Sequence, residues 1–594
     1  MFIYDSVCCE SSVFMIENFA TFKIEKLNIP FVSPDGITFP RTVTVTLLNK
    51  NNEDIAYYEL GYDSIYSVYQ KIHENKPINL DYAYVENFSL HVYRKMFELE
   101  KHSVVNLPEF SARHAIFNAR SSNNFSYAHF DNGNVDFEGA IFLNGNINFN
   151  NAVFGDGDKN FSYWQVRQAD IDFSGVSFGN GEASFKNSIF LEGEKNFKDA
   201  VFGEGLINFN NVHFGDGDLL FIHTTFGDGK VQFKISEFGK GLKDFHYSNF
   251  GKGDITFEKS IFEKGVLDFS KIDFGEGRIN LNRARFRCDT ISFEGAELRS
   301  GRLIAKKADF GDAKISFEEL EFSSSNVIFD DAKINDSEIS FTEASVDTLS
   351  FAGCNLDKYI DLRVKQCVSL NLQKTTVRDI IDLIPGQSAV KIKKLNFKGM
   401  QLLGLLLVDW KQNQLYDLIV SQEDTTVEEK AEQFRTLKQN FFNTGRYDEE
   451  DYAYVWFKRY ELKAKYRQHM KEKKYWYIFV FALQKLVFDK VGKYATDPVQ
   501  VLFSMLVVYS SFSLTYATIL FFKWGEIISA IGGAHDQISM LGRSFFFGAI
   551  TFLTIGYGDF YPMGLVRVLS AMEGFIGVFL MSYFTVAFVR KILR

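Results

Sequence analysis

The sequence predicts a multidomain chain: a β-solenoid, then a helical hairpin, then an all-α module with two membrane-crossing helices. Three observations carry that prediction. Aromatic residues recur at a fixed short period through the middle of the chain. The apolar period then changes to that of a helix. Two long apolar runs come near the C-terminal end.

Composition narrows the classes. The chain has 594 residues and a net charge of −10, so nothing in it indicates a nucleic-acid partner. Phe, at 64 residues, is far above ordinary usage, and Gly stands at 43, a bias that signals a repeat. The five cysteines, Cys8, Cys9, Cys288, Cys354 and Cys367, have no CxxC spacing and read as reduced thiols, with neither a disulfide framework nor a zinc site. The first residues lack a basic segment, and Asp5, Glu10 and Glu17 interrupt any apolar run, so no secretory signal is expected.

The repeat comes first. One ladder runs from Phe125 through Phe137 and Phe149 to Phe269 in steps of twelve, and a second from Phe130 through Phe142 to Phe274. Within "LINFNNVHFGDG", Ile207 and Phe209 alternate with polar residues, as do Val212 and Phe214, which predicts two short strands with the apolar side inward. Gly215 and Gly217 mark a turn of positive φ. The half-unit Phe-x-x-Ala-x-Phe resembles the pentapeptide-repeat family, which implies a right-handed β-helix with four faces per coil. The other half is two residues longer and departs from that family. Five-residue corners close a 24-residue coil, which is favoured over a 12-residue one. Phe209 and Phe221 are expected in one buried column and Asp216 in solvent. The "GDGD" copies read as turns rather than calcium sites, because the period is twelve and the acid is not constant. The solenoid is assigned to 121–410. Residues 1–120 have no clear fold beyond a strand at "TVTVTLL".

From 411 to 474 the period is helical. Thr426 and Glu429 form a capping box; Phe434, Leu437 and Phe441 share a face, and "NTG" ends the helix. A second helix from near Asp448 completes a hairpin. Residues 475–496 open with "YWYIFVFALQKLVFDK", apolar but too short to span, which predicts an interfacial helix.

The last segment, 497–594, opens with Asp497-Pro498 as a helix start. Val499 to Phe522 carries no charge, and Val568 to Val589 carries only Glu573. Lys471, Lys473, Lys474, Lys485, Lys490 and Lys493 precede the first run, and Arg590, Lys591 and Arg594 come after the second. The positive-inside rule therefore puts both ends, and the solenoid, in the cytoplasm, with the chain crossing the cell membrane twice. Between the runs lies "GRSFFFGAITFLTIGYGDFYP". Its alternate glycines let successive carbonyls point one way, and a ring of carbonyls can replace an ion's water shell. Motif, order and spacing resemble the two-transmembrane potassium-channel family over residues 497–594. The resemblance implies that Thr554, Ile555, Gly556, Tyr557 and Gly558 form the selectivity filter and that Asp559 sits at the outer mouth. It also implies a pore helix from Ser544 to Leu553 and an inner-helix hinge at Gly577, where a packing glycine is the alternative. Phe545–Phe547 replace the family's pore-helix tryptophans, and Ile550 stands where some members carry a carboxylate behind the filter. Glu573 has two readings: against the pore helix behind the filter, or facing the cavity.

One filter segment encloses nothing, so the expectation is a homotetramer in a lipid bilayer that passes K+ passively, with no other metal or cofactor and no enzyme motif. A cytosolic ligand or protein on the solenoid is the expected source of regulation. Segment 426–490 is the covalent route from solenoid to pore, expected to act on the outer helix at Asp497. The alternative from another class is a membrane-anchored solenoid scaffold with a vestigial or nonselective pore.

Overall fold

The computed structural model describes residues 18–385, 391–529 and 538–593. Cys8, Cys9 and Arg594, with the N-terminal acids, lie outside the described residues. The chain divides into two compact units, residues 1–422 and 423–594.

The first unit opens with an antiparallel sheet in which Arg41–Leu48 lies between Thr21–Leu27 and Asp54–Tyr62. This is the "TVTVTLL" strand. Its Val43, Val45 and Leu47 are buried against Tyr84, Ile116 and Ile141, which belong to the first coils. A solenoid must cover its exposed end, and this sheet does so.

Parallel pairing begins well ahead of residue 121: Ile78 pairs with Phe110, and Tyr84 with Ile116. The first coil is longer than the later ones and lacks their aromatic spacing, so the repeat pattern conceals it. From Ile147↔Ile171 to Ile315↔Ile339, rungs join residues 24 apart, as in the Glu182 N–H to Asp158 contact, so one coil holds two twelve-residue units; after that the spacing becomes irregular, as in Ile339↔Ile360 and Ile381↔Leu406. Two faces form continuous parallel ladders of 14 and 16 strands; on the others, short strands alternate with isolated bridges.

The aromatic core corrects one expectation. Phe209 stacks on Phe185 and Phe233 at 4.9 Å, within 9° of parallel. Phe221 stacks instead on Phe197 at 4.8 Å and Phe245 at 4.9 Å. The two meet edge to face at 5.9 Å and 79°. They occupy facing columns, because twelve residues is half a coil and carries the chain across the core. Both are fully buried. Edge-to-face contact between columns and offset stacking along them are both favourable arrangements of aromatic quadrupoles.

The turns explain the glycines and the acids. At Gly227, φ is +51° and a Cβ would lie 2.2 Å from the Gly203 carbonyl one coil below, so backbone meets backbone there. The Asp216 carboxylate, exposed, accepts from the Lys240 N–H at 2.9 Å, and Asp218 from the Leu242 N–H at 2.8 Å. The acids thus satisfy N–H groups of the next coil. "LNFKGMQLLGLLL" supplies the last coil, with Leu405–Leu407 pairing on Ile380–Asp382. Cys288, Cys354 and Cys367 are free and buried.

In the second unit, Thr426 N–H reaches Glu429 at 2.8 Å and Glu429 N–H reaches Thr426 at 3.2 Å, completing the capping box. Val427–Asn443 and Tyr447–Lys471 form the hairpin, with Phe434 against Trp456 and Tyr460. A short helix, Tyr477–Gln484, comes next and carries exposed Phe479 and Leu483. Two helices are long and apolar enough to cross a membrane, Pro498–Phe521 and Leu565–Ile592.

Candidate functional site

The first apolar helix starts where its capping residues predict: the Asp497 carboxylate accepts the Gln500 N–H at 3.0 Å, with Pro498 in the first turn. Between the two long helices lies a third, Met540–Phe552, capped by the Ser539 hydroxyl on the Gly542 N–H. It begins a turn earlier than Ser544, because Ser539 rather than Ser544 is its cap. Tyr509 of the first helix donates to its Phe545 carbonyl at 3.0 Å.

After this helix the chain runs through Thr554–Asp559 without regular structure and with every residue exposed. Gly556 has φ +105°, a conformation only glycine takes freely, and no other part of this chain comes within 4 Å of where its Cβ, or that of Gly558, would be. Tyr557 turns back, and its ring stacks on Phe547 at 5.6 Å and 8°. The phenylalanine that replaces a hydrogen-bonding tryptophan therefore braces this tyrosine by its face. Beyond Asp559, Phe560–Gly564 pairs antiparallel with Gly525–Ser529. This strand pair anchors the C-terminal end of the stretch. The sequence reading missed it.

Behind the stretch lies a buried polar chamber. Glu573 on the second long helix is 0 % exposed and accepts the Tyr516 hydroxyl at 2.6 Å from the first. Gly548 of the short helix lies between: a Cβ there would stand 2.5 Å from Ser513 Oγ and 3.5 Å from Glu573 Oε1. Among the described residues, Ser513 Oγ, Thr551 Oγ1 and Glu573 Oε1 are buried without a hydrogen-bond partner. Glu573 therefore lies against the short helix. Ile550 packs nearby, in the cluster that holds Tyr516 and Phe547. No local pattern links Tyr516 to Glu573, so sequence reading found only one half of the pair.

Gly577 sits inside the uninterrupted helix Leu565–Ile592, and its Cβ would lie 2.2 Å from the Phe552 carbonyl. Close approach of the two helices is sufficient reason for a glycine there.

The second long helix also meets the hairpin. Arg590 pairs with Asp451 at 2.8 Å, and Lys591 with Asp448 at 2.7 Å and Asp451 at 3.2 Å. The guanidinium also covers the Tyr454 ring at 4.4 Å. Contact with the pore module thus runs to the second long helix as well as through Asp497.

On the solenoid, ligand atoms of Asp244, His246 and Asp268 lie within 4.8 Å of one another. Asp244 is buried and already bonds the His246 N–H and Nδ1 as an Asx turn capped by a histidine, while Asp268 accepts the Ser270 N–H in its own turn.

Two spans, a short helix between them that ends on a glycine-alternating stretch, and a buried polar chamber behind it define the pore module of a membrane channel. Residues 501–594 match the family model described as "Ion channel", and this segment is an ion-channel domain. No curated protein and no solved structure matches the chain.

Proposed function

We propose that four copies of this chain form a potassium-selective channel in the cell membrane, with the solenoid and both termini in the cytoplasm. The observation that carries this reading is the TIGYGD stretch, bare in the single chain and held between a short helix and an antiparallel strand pair. An open cavity of about 440 Å³ beside it, lined by Thr554, Gly556 and Tyr557 on one side and Gly574, Phe575 and Val578 on the other, supports a partner subunit there. In the assembled ring the carbonyls of Thr554, Ile555, Gly556 and Tyr557 face the axis and replace the ion's hydration shell. Gly558 allows the mouth to widen, and Asp559 lends it negative charge. Glu573 stiffens the filter from behind through Tyr516 and the short helix. The permeant K+ is the only ion the mechanism needs.

Reversal potentials of the purified protein in planar bilayers, with K+ on one side and Na+ on the other, test the reading. Strong K+ preference, block by barium and a tetrameric mass in detergent are expected. Equal permeability to the two ions would leave a nonselective pore or a scaffold instead.

A further inference from the structure

Near its start the solenoid breaks register. In Ile116–Asn124 the pairing with Ile141–Asn148 jumps between Asn118 and Ser122. Ala119, Arg120 and Ser121 stand opposite Gly145 alone, and a Cβ on that glycine would lie 2.8 Å from the Ala119 carbonyl. Bulges of this kind turn side chains out of a ladder and cluster at binding sites. Here the bulge turns Arg120 and Ser121 toward a cleft of about 520 Å³.

The lining of that cleft runs against the character of the chain. The net charge is −10, yet no carboxylate lines the cleft, while Lys101, Arg120, His91 and His102 do. Some arginines and lysines elsewhere on the solenoid pair with acids of a neighbouring coil, as Arg278 does with Asp254 and Arg287 with Glu263. Lys101 and Arg120 make no ion pair among the described residues. Among the described residues the Ser122 hydroxyl, also in the lining, is buried without a hydrogen-bond partner. The repeat does not require these cations: one coil on, glycine occupies the place of the bulge. His102 and Tyr127, ring centroids 4.9 Å apart, give the cleft an aromatic wall.

We propose that this cleft binds a soluble phosphate-bearing metabolite of nucleotide size. Arg120 and Lys101 hold the phosphates, with a guanidinium fork suited to bidentate contact. Ser121 and Ser122 donate hydroxyls. The aromatic wall receives the organic part. The volume lies within the range of small-molecule sites and far exceeds what inorganic phosphate fills. No step depends on ion conduction, so the proposal stands or falls apart from the channel reading.

The test is calorimetric titration of the full-length protein in detergent at low salt, with ATP and with inorganic phosphate. ATP is expected to bind saturably and at least tenfold more tightly than phosphate. Arg120→Gln and Lys101→Gln should each weaken ATP at least tenfold, with melting temperature unchanged. Lys230→Gln, on an exposed position of a distant coil, should leave binding intact. Absence of saturable ATP binding at millimolar concentration overturns the proposal, and so does equal affinity in the Arg120 and Lys101 variants.

Discussion

Lys195 occupies an inward rung position, paired with Leu219 on the next coil, and is 1 % exposed. Its amine donates to the Asp216 carbonyl at 2.9 Å, and burial pushes its pKa down to about 8 from the ordinary 10.5. Below pH 8 the folded chain carries a buried charge. Between about 8 and 10.5 the unfolded chain keeps a proton that the folded chain has shed, so stability rises with pH across that window. Lys195→Leu is therefore expected to stabilise the solenoid by roughly 1–3 kcal/mol at pH 7, the gain narrowing as pH rises toward 10. Thermal melts at both pH values decide it, and a lower melting temperature at pH 7 contradicts the account. In the pore module, Gly556→Ala forces a Cβ onto a residue at φ +105° and is expected to abolish current or selectivity in bilayer recordings. Glu573→Gln keeps an acceptor for Tyr516 but replaces the carboxyl group with an amide. With Glu573 packed against the short helix, the expected change is in inactivation, with single-channel conductance nearly intact. A large fall in conductance would point to a cavity role.

Among elements, the coil and the pore helices were legible to different depths. The ladders of Phe125 and Phe130 announced inward columns, because a period of twelve admits few closed arrangements. The pairing of columns follows from the favoured 24-residue coil, in which residues twelve apart lie half a coil apart on facing sides; the expectation of one column for Phe209 and Phe221 did not carry that step through. The capping residues Thr426, Asp497 and Ser539 mark helix starts; the first two were read and the third was overlooked. What stayed hidden depends on long-range partners: the sheet at Thr21–Tyr62, the strand pair of Gly525–Ser529 with Phe560–Gly564, the Tyr516–Glu573 bond and the bulge at Arg120. Stacked columns make a testable ranking. Phe221→Ala removes a ring from between Phe197 and Phe245 and should cost about 3–5 kcal/mol. Gly227→Ala meets a carbonyl at 2.2 Å with no side chain to yield, and should disrupt the coil at least as much. Asp216→Asn keeps an acceptor for the Lys240 N–H and should be far milder. Limited proteolysis or calorimetry of the three variants gives the order; Asp216→Asn ranking first would reject the inward assignment.

For the whole molecule the question is how, in the proposed channel, the solenoid side of the chain could act on the pore segment. The sequence offers a covalent route into the first long helix at Asp497. The structure adds a second, non-covalent one. Arg590 and Lys591 end the helix that comes after the TIGYGD stretch, and Asp448 and Asp451 hold them from the helical hairpin. Asp451 and Arg590 are mostly buried, at 8 % and 18 % side-chain exposure, so solvent screens their pairing less than it would a surface bridge. Glu450, fully buried, lies 3.8 Å from Arg590 and 3.7 Å from Lys438, which ties the pair into a network. A shift of the hairpin therefore moves the end of that helix directly. Coupling energies between sites run to about 1–3 kcal/mol, a roughly 5- to 150-fold change in an equilibrium. Asp451→Asn is expected to change single-channel open probability by an amount in that range while leaving K+ over Na+ selectivity untouched, because the filter lies at the other end of the helix. The swapped pair Asp451→Arg with Arg590→Asp should recover part of the change, which simple misfolding of the hairpin would not allow. An open probability identical to the unmodified protein in Asp451→Asn would remove this contact from the route and leave the connection at Asp497 as the one to pursue.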